Sequence, residues 1–187
     1  MKWSKKIRLS VGFHKLLKEV KQLHRQPAVR NLNDAKSIGI LYNATEDENY
    51  DTVMRYMKSL RELHKDVHTL GFVDRPSLLR HQFAKLGLDY FTQKHLNFYF
   101  LPNYHVVTNF INEEFDILIC LNIENAFPLK YVAALSKAHF RVGKYNKSST
   151  AFYDLMIDVE DSGNLKGFIG QVDHYLKVIN KGNLKTS

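Results

Sequence analysis

The sequence predicts an α/β fold: a Rossmann-like or flavodoxin-like, doubly wound and mainly parallel sheet, preceded by a basic amphipathic helix. Short apolar, β-branched runs such as "SIGILY" (37–42) and "FDILICLN" (115–122) have the length of strands buried on both faces. Segments whose apolar residues recur with helical spacing separate these runs. Strands that alternate with helices favour parallel pairing through right-handed crossovers.

Size and composition are those of one ordinary globular domain, with 187 residues, 44% hydrophobic and 25% charged. The single cysteine, Cys120, excludes an intrachain disulfide framework and suits a reducing compartment. No run of about 18 apolar residues occurs, so we expect no transmembrane helix. The apolar stretch near the N-terminus is interrupted by His14 and Lys15, which argues against a signal peptide. A cytoplasmic protein is therefore expected.

Positive charge is concentrated at the N-terminus. Residues 1–36 contain ten Lys or Arg and two acidic residues, a net charge of +8, and the remaining chain is neutral. We divide the chain into a basic arm (1–30) and a Rossmann-like α/β domain (31–187). This asymmetry predicts an anionic partner for the arm.

The arm itself has the pattern of an amphipathic helix. Apolar residues from Phe13 to Leu23 share one face, lysines lie on the other, and Pro27 ends the segment. Two interpretations stay open: the helix docks on the body, or it binds RNA or the ribosome, an anionic membrane surface, or a protein. The residues named for an anionic partner are Lys2, Lys5, Lys6, Arg8, Lys15, Lys18, Lys21 and Arg25.

The elements of the body follow in order. We predict strands at 37–42, 66–73, 89–92, 116–122, 138–143 and 151–159, and helices at 50–64, 76–87, 93–100, 106–115, 128–136 and 165–179. Thr45 and Glu48 have the spacing of a capping box at the first of these helices. Pro128 suits the first turn of its helix.

Polar residues follow several predicted strands. Open parallel sheets bind ligands beyond the carboxyl ends of their strands, where the strand order reverses. The candidate ligand crevice therefore comprises Asn43, Thr45, Asp74, Asn122, Glu124, Asn125, Lys144 and Asp158. Ordinary turn chemistry is the alternative for each of them, because Asn and Asp are common turn residues.

The familiar catalytic and cofactor motifs are absent from the sequence. The segment after the first strand, "YNATEDEN" (42–49), has no glycine and three consecutive acids, which argues against NAD or ATP bound in the usual mode. His64 and His68 are the closely spaced histidines, and no third metal ligand is evident. Cys120 is interpreted as a core residue. We therefore name no catalytic residue, metal or cofactor, and the chain is more consistent with a non-enzyme.

Three stretches resemble an uncharacterised family of short Bacteroidota proteins, a domain of unknown function: "NLNDAKSIGILYNAT" (31–45), "HTLGFVD" (68–74) and "INEEFDILICLN…PLKYVAALSKAHFRVGKY" (111–145). The resemblance implies no activity. "FDILICLN" followed by "AALSKAHFRVG" (133–143) is also similar to the amino-terminal Rossmann half of heptosyltransferase-like glycosyltransferases. Those enzymes need a second Rossmann domain, for which this chain has no room, so this similarity bears on fold more than on catalysis.

These observations predict a non-enzymatic binding or accessory protein whose basic arm engages an anionic partner, with RNA on the ribosome favoured. The first alternative is a small-ligand binder for a nucleotide or nucleotide sugar, or a degenerate glycosyltransferase-like domain, using the strand-end crevice. The second alternative is peripheral association with the inner membrane surface through the basic helix.

Overall fold

A computed structural model describes residues 4–78, 86–159 and 164–179 of the chain. Within these ranges the helices are α1 (Lys5–Gln22), α2 (Asp47–Glu62), α3 (His105–Asn112), α4 (Phe127–Leu135) and α5 (Leu165–Val178). The strands are β1 (Ser37–Asn43), β2 (Asp66–Val73), β3 (Leu88–Thr92), β4 (Ile117–Leu121), β5 (Phe140–Lys144) and β6 (Leu155–Ile157). The predicted helix at 76–87 lies largely outside the described residues.

All six described strands are parallel, and their order is β3-β2-β1-β4-β5-β6. The order reverses between β1 and β4, so the carboxyl ends of these two neighbours define the switch point. The predicted Rossmann-like α/β fold is confirmed.

Helices cover both faces of the sheet, which explains why the central strands are apolar on both sides. On one face α2 and α5 pack against the side chains of Ile38, Ile40 and Tyr42 of β1. On the other face the core brings α3 and α4 together with Leu41 of β1 and Phe72 of β2.

Gly71 of β2 makes room for two tyrosines on its neighbouring strands. The register aligns Tyr42 of β1 with Gly71 and Gly71 with Tyr90 of β3. A Cβ atom at Gly71 would lie 2.9 Å from Cδ1 of Tyr90 and 3.1 Å from Cζ of Tyr42. Because glycine has no Cβ, both rings occupy the space above it.

Helix α1 forms a third layer outside α4. Its apolar face buries Leu16 against Ala134 and Leu135 of α4 and against Phe152, and Phe13 meets Phe152 edge to face. Burying one such side chain contributes roughly 1.5–3 kcal/mol, so several together hold the helix on the body. The apolar face of α1 therefore docks on the body, and this contact leaves the polar face of the helix outside it.

Two local predictions were wrong. The N-cap of α2 is Glu46, without a side-chain capping bond, so the proposed Thr45–Glu48 capping box does not form. The segment predicted as a helix at 93–100 contains a 3₁₀ turn at Gln93–His95 and then irregular backbone. None of the described helices is both long and apolar enough to cross a bilayer.

Candidate functional site at the carboxyl edge of the sheet

The two loops at the switch point are tied together by side chains. Asn43, the last residue of β1, donates from Nδ2 to the carboxylate of Glu124 in the β4–α4 loop. The Oδ1 atom of Asn43 accepts from the backbone N–H of Thr45 at 3.0 Å and from the Thr45 hydroxyl at 2.6 Å. The sequence placed these three residues at strand ends, and strand order brings them into contact.

The same hydrogen bonding continues across the sheet edge. The backbone N–H of Asp74, just beyond β2, donates to Oγ1 of Thr45 at 2.9 Å. Gln93, just beyond β3, donates from Nε2 to the Asp74 carboxylate at 2.8 Å. A strand-end network thus links the ends of β4, β1, β2 and β3. Its members are Glu124, Asn43, Thr45, Asp74 and Gln93. Gln93 was missed from the sequence, although it directly follows a predicted strand.

The β4–α4 loop is shaped by ordinary turn chemistry. Asn122 donates from Nδ2 to the carbonyl oxygen of Ala126 at 2.9 Å and accepts from the N–H of Ala126 at 2.8 Å. Asn125 has a φ of 59°, a left-handed conformation that Asn tolerates better than most residues. The side chain of Asn122 is used by the turn, whereas Glu124 and Asn125 remain exposed at its tip.

Among the described residues, three cavities open along this edge, and residues of the β4–α4 loop border each of them. The first, about 280 Å³, lies between the ends of β4 and β5 and is lined by Asn122, Glu124, Asn125 and Lys144. The second, about 320 Å³, lies between β1 and α5; its lining includes Asn43 and Glu124, with Glu48 and Arg55 from α2. The third, about 540 Å³, lies under the start of α1, and its lining includes Asp74 and Asn125.

Most of the predicted crevice residues therefore meet at one edge of the sheet. Thr45 joins them through its hydrogen bonds to Asn43 and Asp74. Asp158 follows β6, is exposed, and lines none of these three cavities. The sheet order explains this result, because β6 is at the far end from the switch point.

Two buried ionisable groups, Cys120 and Lys130, contact residues in or next to the lining of the first cavity. Burial raises the pKa of the Cys120 thiol to about 11, and the Tyr153 hydroxyl donates to its sulfur at 3.3 Å. A thiol with such a pKa is a poor nucleophile at neutral pH, which favours a packing role. Burial also lowers the pKa of Lys130, whose Nζ donates to the hydroxyl of Ser148 at 3.3 Å.

His68, one of the closely spaced histidines, lies between two carboxylates. Its Nδ1 is 2.8 Å from Oε2 of Glu113, and its Nε2 is 2.9 Å from Oδ2 of Asp89. No group of three or more potential metal ligands is found in the described ranges. These contacts join β2, β3 and the end of α3.

Three of the basic residues named for an anionic partner contact the protein itself. The guanidinium of Arg8 lies 4.3 Å from the ring centroids of both Phe98 and Phe100, and Lys15 lies 4.3 Å from the ring of Tyr99. Arg25 forms an ion pair with Asp154. Two rings of the segment after β3, those of Phe98 and Phe100, therefore lie against a cation of α1.

The remaining cations of α1 face solvent. Lys5, Lys6, Lys18 and Lys21 are exposed, and within the described residues no ion pair involves them. Lys2 lies outside the described residues. Docking of α1 therefore leaves a row of solvated lysines on the outer side of the molecule.

Residues 8–179 match a family of unknown function, DUF6913. The chain belongs to this family. The resemblance to an uncharacterised family seen in the sequence is thereby confirmed at the level of a domain of unknown function, and the match includes most of α1. Searches of the curated proteins and of the solved structures find no match. The family description names no activity.

Proposed function

We propose that this protein is a non-enzymatic binding protein whose docked helix α1 presents a basic face to RNA on the ribosome. The proposal rests on the exposure of the α1 lysines and on their lack of carboxylate partners among the described residues. The helix is held to the body through its apolar face, and Lys18 and Lys21 remain exposed with no carboxylate partner in the described part of the chain.

The helix geometry supports a contact surface. His14, Lys18 and Lys21 recur at intervals of four and three residues, so they lie on one side of the helix, and all three are exposed. Lys15 is exposed beside them. Because α1 is packed in place, the backbone positions of these residues have a fixed spacing, and the helix itself loses no further conformational entropy on binding.

Phosphate recognition fits this surface better than a small ligand does. Exposed lysines on one helix face bind a row of phosphates without reading base sequence, and their affinity depends on salt. An anionic membrane surface presents similar chemistry, with each Lys or Arg contributing about 1 kcal/mol. The apolar face of α1, however, is used by the body, so it is not free to enter a bilayer.

Charge reversal tests the proposal more cleanly than deletion of residues 1–30, because deletion would uncover Leu135 and Phe152 of the body. The variant Lys18→Glu/Lys21→Glu is compared with wild type for binding to a fluorescent single-stranded RNA and for co-sedimentation with ribosomes. We expect the variant to lose binding. Wild-type binding should weaken as salt rises. The logarithm of the association constant should fall with the logarithm of the salt concentration, with a slope of about 0.7 per phosphate neutralised.

A matched control changes net charge equally at another place. Lys36→Glu/Lys58→Glu alters two exposed lysines, one before β1 and one on α2, on parts of the molecule away from α1. This control should keep wild-type affinity. Equal loss in both double variants, or no RNA binding by wild type at low salt, would contradict the proposal. Binding to anionic vesicles but not to RNA would favour the peripheral membrane alternative.

A small-ligand function at the carboxyl edge is a second proposal. It is supported by the three cavities that residues of the β4–α4 loop border, and by the similarity of "FDILICLN…AALSKAHFRVG" to the amino-terminal half of heptosyltransferase-like glycosyltransferases. The second cavity has a balanced lining, with Glu48 and Glu124 opposed by Arg55 and Lys166. Nucleotides and nucleotide sugars are tested by thermal shift, where a ligand at 100 times its dissociation constant adds about 2.7 kcal/mol of stability. The absence of any shift across such a panel would exclude this proposal for those ligands.

A further inference from the structure

The third cavity is the largest of the three at the carboxyl edge and differs from the other two in its lining. Its apolar wall combines Leu9 of α1, Phe72 of β2, Leu96, Phe100, Phe127 and Pro128. Lys5 and Arg8 contribute cations, and Asp74 and Gln93 contribute the end of the strand-end network. A volume of about 540 Å³ lies within the range of small-molecule pockets, and such pockets are mainly apolar with a few polar groups.

Arg8 is the best-positioned cation of this cavity. Its guanidinium lies 4.3 Å from the ring centroids of both Phe98 and Phe100, and its Nε donates to the carbonyl oxygen of Phe98 at 2.7 Å. The two terminal Nη groups make no hydrogen bond to any residue in the described ranges. A guanidinium held in one orientation with free terminal donors is suited to bidentate binding of a carboxylate or a related oxyanion.

The charge balance of the cavity favours an anion. Lys5 has no ion pair among the described residues, whereas the carboxylate of Asp74 already accepts a hydrogen bond from Gln93. The lining thus carries two cations and one carboxylate, and its net charge is positive. The site is placed by tertiary structure, since Arg8 and Phe98 are 90 residues apart in the chain.

We propose that this cavity binds a small organic anion, in which one carboxylate or sulfonate group sits on an apolar ring or chain. The anionic group pairs with Arg8 and Lys5 at the rim, and the apolar part lies against Leu9, Phe72 and Phe127. The proposal does not depend on RNA binding, because Lys18 and Lys21 do not line this cavity.

Two fluorescent probes test the site. Anilinonaphthalenesulfonate carries the required anion on an apolar ring system, and phenylnaphthylamine is the same ring system without the sulfonate. Wild type should bind the sulfonate probe saturably at one site. Arg8→Gln should weaken that probe about tenfold or more and phenylnaphthylamine less than about threefold, because only the former loses a charge-assisted hydrogen bond.

Lys15→Gln is the matched control, since Lys15 also lies over an aromatic ring, 4.3 Å from that of Tyr99, but does not line the cavity. It should change both affinities by less than about twofold. Leu9→Gln removes part of the apolar wall and should weaken both probes. The proposal is overturned if wild type shows no saturable one-site binding, if Lys15→Gln and Arg8→Gln have equal effects, or if Arg8→Gln weakens both probes equally.

Discussion

Gly12 of α1 lies against the carbonyl oxygen of Tyr99, so closely that a Cβ atom at this position would overlap that oxygen. The contact joins the N-terminal helix to the segment after β3, and the ring of Phe127 lies beside it, 3.1 Å from the position of such a Cβ. The absence of a side chain at Gly12 therefore sets how near α1 approaches the body.

Gly12→Ala is expected to destabilise the protein although alanine is the better helix former. Overpacking against backbone costs about 1–3 kcal/mol, which outweighs the gain of about 1 kcal/mol from helix propensity. Gly170→Ala on α5 is the matched control, because nothing lies within 4 Å of a Cβ there. Urea unfolding should show a loss of stability for Gly12→Ala and a gain for Gly170→Ala, and the same sign for both would contradict this account of α1 docking.

Asp154→Asn is expected to be strongly destabilising. The Asp154 carboxylate pairs with Arg25, accepts from the backbone N–H of Arg141 at 2.7 Å, and lies 3.9 Å from Nε of Arg141. The side chains of Arg25 and Arg141 are 8% and 7% exposed, so removing their counterion leaves buried positive charge. Burial and the charge of Arg25 already lower the pKa of Arg141 to about 10.

We expect Asp154→Asn to lower the free energy of unfolding by about 3–5 kcal/mol in urea, which does not screen charge. Glu46→Gln provides the comparison, because the Glu46 side chain is 65% exposed and its contact with Arg75 spans 3.4 Å. That change should cost less than about 1 kcal/mol. A similar loss of stability in the two variants would show that the contacts of Asp154 with Arg25 and Arg141 do not stabilise the packing of the basic arm against β5.

Stability should depend on acid pH through Asp116. Burial raises the pKa of this carboxyl group. Hydrogen bonds from the backbone N–H groups of Lys36 and Ser37, together with the charge of Arg30, lower the pKa by more. The pKa therefore lies below its ordinary value of 3.8. A depressed pKa contributes stability above the unfolded-state pKa, and this contribution is lost as pH falls through the folded-state pKa.

Asp116→Asn should therefore be less stable than wild type near neutral pH. The expected loss in the free energy of unfolding is about 1–3 kcal/mol, because the backbone N–H groups lose a charged acceptor. The difference should shrink as pH falls below about 4. Urea unfolding measured at several pH values checks this. A difference that stays constant down to low pH would mean that the ionised carboxylate is not the source of the stability.

Cys120 should be unreactive in the folded protein. Cys120 is 1% exposed, and burial raises the pKa of its thiol to about 11. A thiol reagent at neutral pH should label the native protein very slowly and the urea-unfolded protein at once, because the thiolate is the reactive form. Rapid labelling of the native protein would instead indicate an accessible thiolate, and with it a chemical role.

Local patterns in the sequence were sufficient to predict the central strands of the sheet. Apolar runs of strand length around 37–42 and 116–122 predicted two central strands that the structure places side by side as β1 and β4. Turn residues after these strands predicted the edge where Asn43 and Glu124 meet. Such predictions succeed because strand and helix periodicity depend on neighbouring residues.

Tertiary structure alone decided what the charged residues do. Arg25 and Asp154 are 129 residues apart, and neither periodicity nor charge counting indicates that they pair. Strand order likewise left Asp158 away from the switch point, and the docking of α1 placed Arg8 over a cavity while Lys18 and Lys21 stayed in solvent. The physical reason is that pairing between distant segments follows from how buried surfaces pack together, whereas a sequence pattern reports only which side of each element is apolar.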